Sequence, residues 1–204
     1  MRHKTDNKPR CPRCRLHLEL CLCGQAPSFD LVTKAVVIMH YAEERRKSNS
    51  GRLAGLVLKN SEIFLRGLRN GPPTPEPSDK YPNPLVLFPG AGSQELNPEL
   101  LSAIPRPVTL LLADGNWNQA GHMVKREPLM KEAIKVHLPP GAPTRYRLRN
   151  AQEAEGRICT FEALSRALGI IEGPEIEQKL SEFFYLWVSR SLKMRGQNRD
   201  IWAN

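Results

Sequence analysis

The chain has 204 residues, with 30 Lys and Arg against 21 Asp and Glu, a net charge of +9 and a pI near 9.6. That length allows one α/β domain with a real core plus a small appendage. No stretch approaches the roughly 20 apolar residues needed to span a bilayer, which excludes membrane-spanning helices. The cationic surplus favours a polyanionic partner, because each Lys or Arg that meets a phosphate releases a condensed counterion.

Residues 1–28 are basic and cysteine-bearing, with little secondary-structure period, and read as a small knuckle attached to a main domain over 29–204. The opening MRHKTDNKPR has no apolar core of a secretory signal. Five cysteines in such a chain are expected as reduced thiols or metal ligands, and a cytoplasmic location follows as the expectation. Basic residues cluster at Arg2, Lys4, Lys8, Arg10, Arg13 and Arg15, at Arg45, Arg46 and Lys47, at Arg145, Arg147 and Arg149, and at Arg190, Lys193, Arg195 and Arg199.

Within the knuckle, Cys11 and Cys14 form a CxxC turn, and Cys21 and Cys23 follow six residues later as a CxC pair. Two thiolates from each side complete a tetrahedron with metal–sulfur distances near ~2.3 Å. A redox pair is the alternative. Four thiols in thirteen residues favour structural zinc, and a closed four-cysteine site leaves no open position for catalysis. His17, inside the cluster, is a weaker candidate ligand. Cys159 stands alone and reads as a small core residue rather than a nucleophile.

The main domain begins with a β-branched run at 32–40 (VTKAVVIMH), read as a strand. A helix is expected over 50–59 and a short strand over 62–66. Six prolines in 71–84 require a loop. The apolar runs at 85–88 (LVLF) and 108–113 (VTLLLA) suit strands buried on both faces. A helix over 96–104 lies between them. Helices over 118–125 and 128–134, a strand over 134–138, and helices over 160–168 and 175–193 complete the chain. Alternating strands and helices predict a parallel α/β sheet flanked by helices.

In open α/β sheets ligands bind outside the carboxyl ends of the strands. Two strand ends carry distinctive residues: Leu87, Phe88, Pro89 and Gly90 at one, and Asp114, Gly115, Asn116 and Trp117 at the other. A carboxylate after five apolar residues needs partners or a task. Helix capping by Asn116 and a core role for Trp117 are the plainer readings of those two residues.

Five blocks then align with one family. LLADGNWNQA at 111–120 resembles the signature of the DTW-domain family. So do LFPG at 87–90, YRLR at 146–149 followed by ICTFEA at 158–163, SNSGRL at 48–53, and the cysteine knuckle. The sequence departs at Asn116, where the family has the threonine of its name, and at Ser50, which replaces a threonine.

The resemblance implies a SPOUT-like fold with a deep C-terminal knot. It implies transfer of the 3-amino-3-carboxypropyl group of S-adenosylmethionine (SAM) to N3 of a tRNA uridine, with methylthioadenosine leaving. A SAM-dependent RNA methyltransferase, the same transfer on ribosomal RNA, and a non-enzymatic zinc-knuckle RNA-binding protein are the alternatives. The expected catalytic residues are Asp114, as base or as counter-charge to the sulfonium, and Trp117. Leu87, Phe88, Pro89, Gly90, Asp114, Gly115, Asn116, Thr160 and Glu162 are expected around the cofactor. Arg13, Arg15, Arg45, Arg46, Arg147 and Arg149 are expected RNA contacts, with the carboxylate of SAM as the alternative partner of Arg147 and Arg149.

Overall fold

Short runs rich in Val, Leu and Ile build the sheet: β1 (Lys34–His40), β2 (Ser61–Arg66), β3 (Pro84–Leu87), β4 (Gln94–Glu95), β5 (Thr109–Asp114) and β6 (Ile134–His137). The structure, a computed structural model, describes residues 8–68, 71, 73–146, 148 and 158–197. All strand pairs are parallel, in the order β2-β1-β5-β3-β6-β4. Parallel pairing forces crossover connections. These carry α1 (Tyr41–Glu44), α2 (Ala54–Val57), α3 (Pro98–Ser102), α4 (Trp117–Arg126) and α5 (Pro128–Lys131), and α6 (Thr160–Glu172) and α7 (Pro174–Lys193) follow the last strand.

Alternation along each strand divides the core in two. Ala35, Val37 and Met39 of β1 join Leu110 and Leu112 of β5 on the face covered by α6 and α7. Val36, Ile38 and Leu111 face the other way, onto Met123 and Val124 of α4 and Leu129 and Met130 of α5. Both faces are thus covered, which explains why the strands read as continuous apolar runs. The knuckle is not free of this core. Leu16 and Leu22 are fully buried in the larger cluster, beside Trp187 of α7.

Most expected elements appear within a residue or two. The helix expected over 50–59 is shorter: a 3-10 turn at Gly51–Leu53 leads into α2, which ends at Val57. Leu58 turns extended because it bridges Phe29, whose carbonyl accepts from Lys59 N at 2.9 Å. The edge strand β4 has two exposed residues and no apolar signal. Among the described residues no helix is long and apolar enough to cross a membrane.

Candidate active site and metal centre

The two distinctive strand ends lie side by side. β3 pairs with β5 in register from Pro84 opposite Thr109 to Val86 opposite Leu111. Phe88, just past β3, and Trp117, the first residue of α4, bring their rings to 5.6 Å. Trp117 remains 40% exposed, so this aromatic pair forms a surface shelf rather than core. Asn116 caps α4 in a reciprocal box: its Oδ1 accepts from Gln119 N, and its own N–H donates to Gln119 Oε1, both at 2.9 Å. Gly115 makes this box possible, since a Cβ there would sit 2.9 Å from Gln119 Cβ. Pro89 and Gly90 are exposed, and Ser93 folds the loop back by donating to Gly90 O at 2.8 Å.

Asp114 ends β5 and is 4% exposed. Its Oδ1 accepts from Thr160 Oγ1 and its Oδ2 from Asn49 Nδ2, each at 2.5 Å. Asn49 is itself fully buried. It reaches Glu43 Oε2 at 3.5 Å and accepts Arg52 N at 3.0 Å. The backbone at Gly51 packs directly against this carboxylate: a Cβ there would meet Asp114 Cγ at 2.7 Å. Three distant segments, 43–52, the end of β5 and the start of α6, therefore converge on Asp114. Arg52 closes the far side by donating to Glu44 O. Burial lowers the Arg52 pKa, and the nearby positive charge of Arg15 adds to this.

Thr160 and Glu162 open α6, as expected, with Cys159 as N-cap. Glu162 is buried and accepts from Thr144 Oγ1 at 2.6 Å, Arg145 N at 3.1 Å and Cys159 N at 3.2 Å. It anchors the 144–146 segment to the helix. Tyr146 continues the strap: its hydroxyl donates to Ser48 O, and its ring stacks on Phe184 at 5.9 Å. Burial, and then the Glu162 charge, push the Cys159 thiol well above its ordinary range, which leaves it neutral where it packs, partly buried, against the core.

Cys11, Cys14, Cys21 and Cys23 form the second centre. Their sulfurs all lie within 4.8 Å of one another, with Cys11–Cys23 at 3.5 Å and Cys14–Cys21 at 3.8 Å. A tetrahedral metal with ~2.3 Å bonds to sulfur needs edges of roughly 3.8 Å, so the four thiols fit one metal ion. Burial pushes the Cys11 thiol up, but the backbone donors at Cys14 and Arg13 outweigh it and bring the pKa to about 6. Cys14 and Cys23 are raised, first by burial. The knuckle docks on α7: Trp187 Nε1 donates to Cys14 O at 2.9 Å, and Arg190 donates to Leu20 O and Cys21 O at 3.2 and 3.1 Å. His17 is buried and lies outside the thiol group that could hold the metal.

Arg45 and Arg46 are exposed just after α1, at the same edge of the sheet as Asp114, with Arg46 Nε 3.4 Å from Glu43 Oε1. Arg13 is exposed on the knuckle, and Arg15 is held at φ 63°. Arg147 and Arg149 lie outside the described residues. A groove of ≈ 450 Å³ opens beside α4 at the carboxyl ends of β1 and β2. A larger one of ≈ 570 Å³, bounded by Tyr81, Asn83 and Pro84, lies at the amino end of β3 and brings no cluster of catalytic groups. Sequence reasoning passed over Glu43 and the role of Asn49. The signal for Asn49 was a run of turn residues, 48–51, between a strand and a helix; Glu43 carried none.

These features define a class: a parallel α/β protein with an aromatic pair and a buried, hydrogen-bonded carboxylate at the carboxyl ends of its central strands, and a metal-fitting knuckle docked on its last helix. The DTW domain family model matches residues 8–192, and the chain belongs to that family. It is 26% identical over 174 residues to tRNA-uridine aminocarboxypropyltransferase 2 of Macaca fascicularis, covering 82% of this chain and 58% of the relative. To the Mus musculus protein of the same name it is 27% identical over 178 residues, with the same coverage. To tRNA-uridine aminocarboxypropyltransferase A of Arabidopsis thaliana it is 28% identical over 205 residues, covering 83% of this chain and 76% of the relative. The chain thus spans less than two thirds of the two mammalian relatives. No solved structure matches it.

Proposed function

We propose that this protein transfers the 3-amino-3-carboxypropyl group of SAM to N3 of a uridine in tRNA and releases methylthioadenosine. Family membership and the names of the relatives support the reaction class. The observation that carries it is the adjacency of the β3 and β5 ends, with the Phe88–Trp117 shelf on the α4 face and the Asp114 carboxylate held on the α6 face of the same strand ends. In the reaction the N3–carbon bond forms, the sulfur–carbon bond to the methionine arm breaks, and the N3 proton leaves to a base. The enzyme's contribution is positioning the arm, rather than the methyl, in line with N3.

Leu87, Phe88, Pro89 and Gly90 offer backbone groups and an apolar wall to the adenosine, and Gly115 and Asn116 line the same cleft. Thr160 and Glu162 hold the start of α6 beside it, where the first amides suit the methionine carboxylate. Both Asp114 oxygens already accept hydrogen bonds. This favours Asp114 as a fixed negative charge facing the sulfonium, while the base role requires Thr160 to swing away. The uridine is unpaired or flipped, because N3 is its pairing donor. Arg13, Arg15, Arg45, Arg46, Arg147 and Arg149 are assigned to RNA.

The four cysteines take zinc in this reading. Zinc fixes the knuckle over residues 1–28 against the catalytic domain over 29–204. The seating of β5 between the earlier strands β1 and β3 supports a SPOUT-like arrangement, with the deep knot that accompanies it. A cytoplasmic location fits the substrate.

The test is incubation of the protein with SAM and tRNA, followed by mass spectrometry of the nucleosides. The aminocarboxypropyl adduct and methylthioadenosine are expected. Methylated uridine with S-adenosylhomocysteine would instead assign a methyltransferase. Product with ribosomal RNA alone would move the substrate. Tight tRNA binding with no product from any donor would leave an RNA-binding module.

A further inference from the structure

We propose that the groove beside α4 is a nucleotide subsite, which holds the RNA residue neighbouring the target uridine and selects a base with an exocyclic amino group. The proposal rests on the tRNA reading above. Gln119, His122 and Arg126 line the groove from α4 at spacing i, i+3 and i+7, so one helical stripe forms its wall. His40 and Arg66, the last residues of β1 and β2, form the other side, and Glu127 contributes a buried carboxylate.

The Glu127 carboxylate is the informative group. It is 3% exposed, and its Oε1 accepts from Arg66 Nε at 2.5 Å. Its Oε2 has no hydrogen-bond partner among the described residues. A buried carboxylate oxygen without a donor carries an unfavourable desolvation cost, so the groove favours an occupant that brings an N–H. A bare phosphate would meet Arg126 and His122 but would also face this negative oxygen. A nucleotide meets both requirements: its phosphate answers the cations, and a base amino group answers Glu127, as carboxylates do with the cytosine amino group.

Position supports the same occupant. Gln119 completes the cap of the Asp114–Gly115–Asn116–Trp117 turn, so the groove begins where that turn ends. From Trp117 to Arg126 the helix rises roughly 13 Å at about 1.5 Å per residue, which suits a strand leaving the shelf along α4. Tyr41, 41% exposed, lies tilted against His40 with ring centroids at 4.7 Å and offers a face for a base near the groove. Gly67, at φ 87°, passes beneath His40, and a Cβ there would come within 3.0 Å of Nε2.

The experiment uses the full chain and synthetic RNA hairpins without SAM, with each flank of the loop uridine varied through all four bases. Binding is read by fluorescence anisotropy at several salt concentrations. The wild type is expected to prefer amino-bearing neighbours over uracil by about tenfold. Glu127→Gln is expected to erase that preference. His122→Ala and Arg126→Ala are expected to weaken all hairpins alike, and Arg126→Ala to reduce the salt slope by about one phosphate contact. An unchanged base preference in Glu127→Gln would overturn the proposal. So would His122→Ala and Arg126→Ala variants that match the wild type in affinity and salt slope, an arm that stands even if Glu127→Gln fails to fold. Absence of the aminocarboxypropyl product would count against the reaction, whereas these binding arms address the groove alone.

Discussion

Asn49, with no exposed surface, donates its side-chain amide to the carboxylate of Asp114 across 65 positions of sequence. It also lies within reach of Glu43, so one amide stands between two buried carboxylates. Asn49→Ala removes a donor from a buried anion and is expected to cost about 1–3 kcal/mol of stability. Asn49→Asp is expected to cost more, because it adds a third carboxylate to the cluster. Urea unfolding of both variants measures the difference, and equal losses would argue against the electrostatic account.

Gly51 and Gly121 give opposite expectations for the same change. A methyl at Gly51 overlaps Asp114 Cγ, and Gly51→Ala is expected to destabilise by about 1–3 kcal/mol. Gly121 lies inside α4, and an added Cβ would meet Phe88 Cζ at an ordinary 3.6 Å. There Gly121→Ala is expected to stabilise by about 0.5–1 kcal/mol through helix propensity. Thermal melts of the pair check both signs.

The knuckle is expected to carry one zinc per chain, by elemental analysis, and Cys14→Ser is expected to lose it. Because the Trp187 indole donates to Cys14 O, a chelator is expected to shift Trp187 emission as the metal leaves. Arg190→Ala, which removes two bonds to knuckle carbonyls, is expected to lower the melting temperature of the zinc-loaded protein more than that of the chelated protein.

Cys159 has a folded pKa above its ordinary 9.0, first through burial and then through the Glu162 charge. The unfolded thiol ionises near pH 9 while the folded one stays protonated. Its stabilising contribution is therefore complete below that pH and is lost as pH rises above it. Unfolding free energies from pH 7 to 10 are expected to fall more steeply for the wild type than for Cys159→Ala. Parallel curves would remove Cys159 from the alkaline response.

The sheet was legible because β1, β3 and β5 are buried on both faces and so read as unbroken apolar runs. The thiol cluster was legible from spacing alone. β4 was not, since its two exposed residues pair only through backbone. The short reach of α2 escaped for a related reason: a tertiary bridge to Phe29 overrides local helix preference at Leu58. Asp114 stood out as a carboxylate after an apolar run. Its partners did not, because Asn49 and Thr160 look like ordinary turn and cap residues until the chain brings them together.

That convergence has a kinetic consequence. The pocket around Asp114 closes only when α6, which starts at Thr160, docks against a loop laid down more than a hundred residues before it. An all-parallel sheet delays such pairings further, since loop closure precedes any gain from contact. During synthesis the early strands must therefore wait on the ribosome as an incomplete scaffold, and competence arrives late, with the last third of the polypeptide.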